Sequence, residues 1–262
     1  MTLYDLKQAT ELGTLDKIPK VHLTEEAVLA PMKFGETLLH IAASNRQIGC
    51  IPAQLLTAKN LLLKDQRGRI PIHQATRHGG LSRIPAEALE AVEIWTERDE
   101  RYQTVIHLAA QFGRLDQVPT NAFTAENLLI TDNFDRTPLH RAAESSVLHI
   151  IPRVFLTEAN MLVKDCEGRT PLAWAAINGQ LNLVPDMLTL ENLLMRDNAD
   201  RTILYQSTRN TFSQDQLLGT YLPDTKEIRC IVGDDWFEKN LRACKGRKSL
   251  TSEPDTTGLD IF

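Results

Sequence analysis

A proline recurs along this chain at a nearly constant interval, and this regularity constrains the fold more than any other feature. The interval is 33 residues, with one step of 34, and it connects Pro19, Pro52, Pro85, Pro119, Pro152 and Pro185. A fixed period in this range is typical of a solenoid, in which each repeat buries its apolar face only against its neighbours. We therefore expect a stack of repeats.

Three columns of apolar residues keep the same phase as the prolines. One column holds alanine, the second leucine or isoleucine, and the third isoleucine or valine. They are Ala9, Ala42, Ala75, Ala109, Ala142 and Ala175; Leu15, Ile48, Leu81, Leu115, Leu148 and Leu181; and Ile18, Ile51, Ile84, Val118, Ile151 and Val184. Columns that stay in phase over six periods predict a continuous core along the stack.

Residues 133–152 give the clearest copy of the repeat. Thr137 is suited to cap a helix through its hydroxyl, and Pro138 fits the first helical position, where an amide hydrogen would be unpaired in any case. Leu139, Ala142 and Ala143 follow at helical spacing and form a narrow face of small residues. The pattern predicts a helix that begins at Pro138 and packs closely on another helix.

The repeated motif resembles that of the ankyrin repeat family, which reads Gly-x-Thr-Pro-Leu-His-x-Ala-Ala. The copies here are residues 35–43, 69–75, 104–110, 137–143 and 168–176, within a resemblance that covers residues 3–210. This resemblance implies an all-α repeat solenoid, an ankyrin-like helix-turn-helix stack of about six repeats over residues 1–210. The prolines depart from the family pattern because they fall inside the second helix. We expect that helix to be short and to begin near the proline.

Two smaller signals recur between the helices. A threonine followed by apolar residues predicts a further helical turn at Thr24, Thr57, Thr124, Thr157 and Thr189. An aspartate then opens a turn, and the aspartates are Asp65, Asp99, Asp132, Asp165 and Asp197. The position three residues after the aspartate favours positive φ, and across the repeats it holds Gly35, Gly68, Tyr102, Asp135, Gly168 and Asp200. Residues 86–103 lack the threonine and carry one extra residue, so we expect local deviation there.

Aspartate and histidine columns also raise the question of metal binding. The aspartates lie about one repeat apart and never cluster in one loop, which favours a structural role over calcium binding. His40, His73, His107 and His140 share one column that Ala173 and Tyr205 interrupt. Two neighbouring imidazoles could share a metal, but the ankyrin resemblance implies bonding to backbone or threonine instead. We expect neither a metal nor a cofactor.

Charge and apolar content bear on where the protein works and what it binds. The net charge is −5, which gives the whole molecule no electrostatic reason to bind nucleic acid directly. No apolar run is long enough to span a membrane, and the first residues lack signal-peptide character. Cys50, Cys166, Cys230 and Cys244 are widely spaced, which favours reduced thiols. We expect an intracellular, cytoplasmic protein without a small-molecule substrate.

The pattern changes after the repeats. Residues 211–244 are expected to form a small C-terminal cap, with Trp236, Phe237 and Leu241 covering the last repeat, and residues 245–262 a flexible tail. Arg242, Lys245, Arg247 and Lys248 form a short basic cluster, interpreted as a solvated tail rather than a phosphate contact.

The last five residues, 258–262, resemble the peptide by which bacterial polymerases and repair proteins engage the sliding clamp. Leu259, Asp260 and Phe262 match that peptide, Ile261 is a conservative replacement, and Gly258 departs from it. Packing of these apolar residues on the protein's own last repeat is the favoured alternative. A tail that docks on a partner and a tail that docks on its own chain both remain open.

No phosphate-binding loop, nucleophile elbow or zinc-protease motif occurs, so the sequence predicts a non-enzymatic scaffold that binds a protein partner. The alternative is an enzyme or enzyme regulator acting through the C-terminal segment. Ankyrin-like stacks present their turn tips and the concave side of the first helices to partners. The candidate partner-binding residues are Phe34, Arg67, Arg69, Tyr102, Phe134, Arg136, Glu167, Arg169 and Arg201. The three aromatics are the expected hot spots, although Phe34 could instead pack locally.

Overall fold

The computed structural model describes residues 1–207, which contain thirteen α-helices and no β-strand. The described residues fall into two compact units, Met1–Trp174 and a second that begins at Ala175, with the division inside one helix. Seven helices are the first helices of successive repeats: α1 Leu3–Glu11, α3 Leu38–Ser44, α5 Pro71–His78, α7 Val105–Gln111, α9 Pro138–Glu144, α11 Pro171–Ile177 and α13 Ile203–Ser207. The remaining six are shorter: α2 Glu25–Leu29, α4 Ala58–Leu61, α6 Glu93–Thr96, α8 Ala125–Leu129, α10 Glu158–Met161 and α12 Leu190–Leu193.

Within Met1–Trp174 the first helices pack in chain order, α1 on α3, α3 on α5, α5 on α7 and α7 on α9. The alanine column lies in these contacts, and Ala42, Ala75, Ala109 and Ala142 have no exposed surface. Most of the leucine and isoleucine columns is likewise buried. These findings confirm the all-α repeat stack, because each helix covers the apolar face of the one before it.

The proline-containing segment differs from the short second helix that the sequence predicts. Each proline of the first unit is extended, as at Pro52 with φ −54° and ψ 131°, and it separates two turns of 3-10 helix. In the first unit these turns are Leu15–Lys17 and Lys20–His22, Ile48–Cys50 and Ala53–Leu55, Leu81–Arg83 and Ala86–Leu89, Leu115–Gln117 and Thr120–Ala122, and Leu148–Ile150 and Arg153–Phe155. In the second unit they are Leu181–Leu183 and Pro185–Met187. An α-helix is absent here because proline lacks the amide hydrogen and disfavours helical geometry in the residue before it.

The short helices follow the threonine signal. The hydroxyl oxygens of Thr24, Thr57, Thr124, Thr157 and Thr189 each accept a hydrogen bond from the amide three residues later. Residues 86–103 deviate as expected, since α6 starts without a side-chain cap. Its Trp95 is buried and donates its indole N–H to the Leu89 carbonyl at 3.1 Å.

Among residues 1–207, no helix combines the length and the apolar character that a membrane crossing requires. The expected cap at 211–244 and tail at 245–262 lie outside the described residues. So do Cys230 and Cys244, whereas Cys50 and Cys166 are thiols within the described part.

Replacement of Ala142 by leucine tests the close helix contact. Ala142 lies on α9 with no exposed surface, where α9 packs on α7, so the larger side chain should lower the free energy of unfolding by about 1–3 kcal/mol. Urea denaturation followed by far-UV circular dichroism measures this change. Ala125→Leu is the matched control because Ala125 is exposed at the start of α8. Equal midpoints for the two variants would contradict the contact.

Candidate protein-binding surface

Aspartate fixes the turn between successive repeats. In Asp65, Oδ1 accepts hydrogen bonds from the amides of Arg67 and Arg69, both at 2.9 Å. Asp99, Asp132, Asp165 and Asp197 repeat this pattern with the amides two and four residues later. The aspartates therefore have the structural role that the sequence favours.

Backbone hydrogen bonds connect neighbouring turns in the first unit. The amide of Gln66 donates to the Phe34 carbonyl at 2.9 Å, Asn133 to Arg101 at 3.1 Å, and Cys166 to Phe134 at 3.0 Å. The turns are thus held in fixed order along one edge of the unit. Side chains at their tips are presented as a row on a rigid backbone.

Five of the predicted binding residues project from these tips, and we refer to them as the turn-tip surface: Phe34, Arg67, Tyr102, Phe134 and Glu167. The aromatic residues remain 52%, 57% and 48% exposed, respectively. The Lys33 ammonium lies 5.0 Å from the Phe34 ring centroid, and the Arg136 guanidinium 5.8 Å from that of Phe134. Arg67 forms an exposed ion pair with Glu100 at 3.7 Å. The row therefore combines apolar rings with charges that partners can reach.

Four other predicted residues, all arginines, are held by ion pairs within the chain. Arg69 contacts Asp65 at 2.6 Å and Glu36 at 3.0 Å. In the second unit, Arg201 contacts Asp197 at 2.7 Å. These guanidinium groups stabilise the turns beneath the surface, and the side chains of Arg69, Arg136 and Arg169 are largely buried. Sequence reasoning located the arginines at the turns but missed their carboxylate partners.

A tryptophan that the sequence did not single out joins two of these arginines. The Trp174 ring centroid lies 4.2 Å from the Arg169 guanidinium and 5.3 Å from that of Arg136. Both arginines also contact Asp165, at 3.6 and 3.3 Å. This cluster makes the end of the turn-tip row near Phe134 and Glu167 the most extensively supported part of the surface.

A second network includes Arg141 on α9, which the sequence also missed. Its guanidinium donates to Asp132 at 2.6 Å and to Glu144 at 3.1 Å. Burial opposes ionisation of Asp132, but the Arg141 hydrogen bond and two backbone amides outweigh it and hold the pKa of this carboxyl below its usual value. The charge pair fixes the turn on the start of the next helix.

The histidine column is structural. The backbone amide of Thr137 donates to Nδ1 of His140 at 3.0 Å, and the Nε2 atom of His140 lies 3.2 Å from the Arg169 carbonyl oxygen. Because Nδ1 accepts, the proton is on Nε2 and is donated to the next turn. His40, His73 and His107 repeat this bridge toward the carbonyls of Arg69, Glu97 and Arg136. No group of metal-ligating side chains occurs among residues 1–207.

The imidazole also takes part in how the helix begins. A capping box joins the Thr137 side chain to the His140 amide and the His140 imidazole to the Thr137 amide, and the Thr137 hydroxyl lies 2.9 Å from His140 Nδ1. The helix still starts at Pro138 as predicted.

Burial lowers the pKa of His73, His107 and His140 to about 4 and lowers that of His40, while the bonded carbonyls oppose the shift. The imidazoles are therefore neutral in the folded protein at physiological pH.

The proposed clamp-docking residues Leu259, Asp260, Ile261 and Phe262 lie outside the described residues, as does the alternative in which they pack on the last repeat. The enzyme or regulator alternative, which depends on the same segment, remains a sequence prediction.

Comparison with known proteins gives one family match. Residues 106–197 match the family model for ankyrin repeats, in three copies. No curated protein matches the chain. The matched range contains Phe134, Arg136, Glu167 and Arg169, and the repeats before it show the same turns and helix starts in the structure.

Acid should destabilise the stack through these histidines. Unfolded histidine has a pKa near 6.5 and the buried rings near 4, so the unfolded state binds more protons between these values and stability falls as pH falls through that window. Each histidine should contribute a slope of about 1.4 kcal/mol per pH unit. His107→Gln with His140→Gln should flatten the dependence, since glutamine can still accept at the helix start.

Urea denaturation at several pH values between 7 and 4.5 measures this slope. The matched control replaces the exposed His22 and His149 by glutamine and should keep the slope of the wild type. A double buried-site variant with an unchanged slope would contradict the assignment of neutral rings.

Proposed function

Since this chain is an ankyrin repeat protein, we propose that it is a scaffold that binds a protein partner through the turn-tip surface. Ankyrin repeats are generally protein–protein interaction modules. The binding residues proposed are Phe34, Tyr102 and Phe134, with Arg67 and Glu167 supplying charge.

The observation that carries the proposal is the left-handed backbone conformation of two exposed aromatic residues. Tyr102 has φ 59° and Phe34 has φ 63°. Residues with a side chain pay about 1–2 kcal/mol in this left-handed region. At the position of Tyr102, three other turns have glycine, namely Gly35, Gly68 and Gly168. An exposed tyrosine that costs stability and fills no core is best accounted for by binding.

The rigid support of the row favours binding as well. Backbone bonds between turns and the buried ion pairs beneath them fix the backbone that carries the rings, so association costs little ordering of the turns. Aromatic residues that are already ordered are typical of interface hot spots. The paired Arg69, Arg136, Arg169 and Arg201 support the surface through their ion pairs.

The test separates binding from folding. Tyr102→Gly with Phe134→Ala should keep or raise the melting temperature, because glycine removes the backbone strain, and should abolish capture of the partner. Affinity purification from the native cell with quantitative mass spectrometry compares wild type and variant. Tyr4→Ala is the matched control, since Tyr4 is 72% exposed on α1 and does not belong to the turn-tip surface.

A protein retained by the wild type and Tyr4→Ala but lost from the double variant would support the surface. Equal recovery of every captured protein by the double variant would reject it. A lower melting temperature for Tyr102→Gly alone would show that the tyrosine packs on the protein itself and would remove the basis of the proposal.

A further inference from the structure

A second surface lies at the opposite end of the first helices. Six residues from three successive repeats lie at or just after the ends of α3, α5 and α7, and we call them the basic patch: Arg46, Arg77, His78, Arg83, Phe112 and Arg114. The Phe112 ring lies near two guanidinium groups, with its centroid 5.7 Å from Arg77 and 5.8 Å from Arg114. The pKa of His78 is lowered first by burial and then by the positive charges of Arg77, Arg114 and Arg46.

Backbone carbonyl groups hold two of these arginines. Arg83 donates through its guanidinium to the Arg46 carbonyl at 2.8 Å, and Arg114 donates to the carbonyls of Thr76 at 2.6 Å and of Arg77. The arginine of one repeat thus donates hydrogen bonds to carbonyl groups at the end of the first helix in the preceding repeat. These bonds fix the guanidinium groups but leave their positive charge in place.

Carboxylates are scarce around the patch. Among the described residues, the one carboxylate that forms an ion pair with it is Asp99, 3.9 Å from Arg77. At the turns, by contrast, Arg69, Arg136 and Arg169 each contact two or more carboxylates. The arginine charges of the first unit are therefore compensated at the turns and largely uncompensated at the helix ends.

We propose that the basic patch binds an acidic peptide segment of a protein partner, with carboxylates on the guanidinium groups and an apolar side chain on Phe112. Fixed guanidinium groups bind carboxylates in bidentate geometry with little loss of conformational freedom. A partner can reach Phe112, since this residue is 39% exposed.

Nucleic acid fits the patch less well. The cations span only three repeats, and one of them, Arg77, already has a carboxylate partner in Asp99 at 3.9 Å. A net charge of −5 repels a long polyanion outside the patch. A short acidic segment satisfies the cations without extending over that repulsive surface.

Arg46 provides a variant that removes charge without loosening the fold. It has φ 61°, in a column where Gly13, Gly79, Gly113 and Gly179 have the same positive φ. Arg46→Gly should therefore raise the melting temperature, while its carbonyl still accepts the Arg83 hydrogen bond. Ser146→Gly is the matched control because Ser146 occupies the same column with φ 60° and carries no charge.

Fluorescence anisotropy on the full chain measures binding of a short labelled peptide of glutamates with one leucine, at low salt. The wild type and Ser146→Gly should bind it, and Arg46→Gly with Arg77→Gln should bind about tenfold more weakly. The same peptide with glutamine in place of glutamate should not bind. Tyr102→Gly with Phe134→Ala should bind as the wild type does, so failure of the turn-tip proposal leaves this result unaffected.

Three results would overturn the proposal. They are absence of glutamate-peptide binding by the wild type, equal affinity for the charge-removed variant, and tighter binding of a labelled single-stranded oligonucleotide of equal charge. The last result would assign the patch to nucleic acid.

Discussion

A buried imidazole that joins one repeat to the next is the interaction on which the rest of the structure depends. Its Nδ1 caps the start of its own helix and its Nε2–H binds the carbonyl of the following turn. Loss of such a bond leaves buried polar groups unpaired, at about 1–3 kcal/mol each. Because one half of every bridge belongs to the neighbouring repeat, the bridge also sets where that neighbour's turn tip lies.

Arginine has two roles in the first unit, and the type of partner distinguishes them. At the turns, guanidinium groups neutralise the aspartates that shape the backbone, as Arg141 does for Asp132 at 2.6 Å. At the helix ends, Arg83 and Arg114 bond carbonyl groups, which satisfies hydrogen bonds but cancels no formal charge. Arginine thus supports the aromatic row at the turns, where carboxylates compensate its charge. At the helix ends it forms the basic patch, where its charge is largely uncompensated.

Much of the fold could be predicted because the apolar residues that recur at the repeat period are the ones that the stack buries. Ala142 and Leu148 stand in columns that the structure buries, and Thr157 begins a short helix as its pattern predicts. The prediction for the proline segment was wrong in detail, since an extended Pro52 between two 3-10 turns cannot be distinguished from a helix start by spacing alone.

The site was less predictable because its chemistry depends on contacts between repeats. Exposed Tyr102 could be identified as a turn residue, but the pairing of Arg136 with Asp165 depends on the stacking of two turns. The basic patch was missed entirely. Arg46, Arg77 and Arg114 occupy different positions within their repeats, so they do not form a column in the sequence. Only the packing of successive repeats brings them together.

Positive φ links stability to both proposed surfaces. Two columns of the described repeats require it, one at the end of the first helices and one in the turns, and glycine is the residue that adopts it without cost. Aspartate and serine also occupy these columns, but the two large side chains there are Arg46 and Tyr102. One lies in the basic patch and the other in the turn-tip row. Both therefore reduce the stability that glycine would give, and each places a charged or aromatic group where a partner can reach it. The same strain at both ends of the first helices therefore supports both proposed binding surfaces, because neither exposed side chain fills the core.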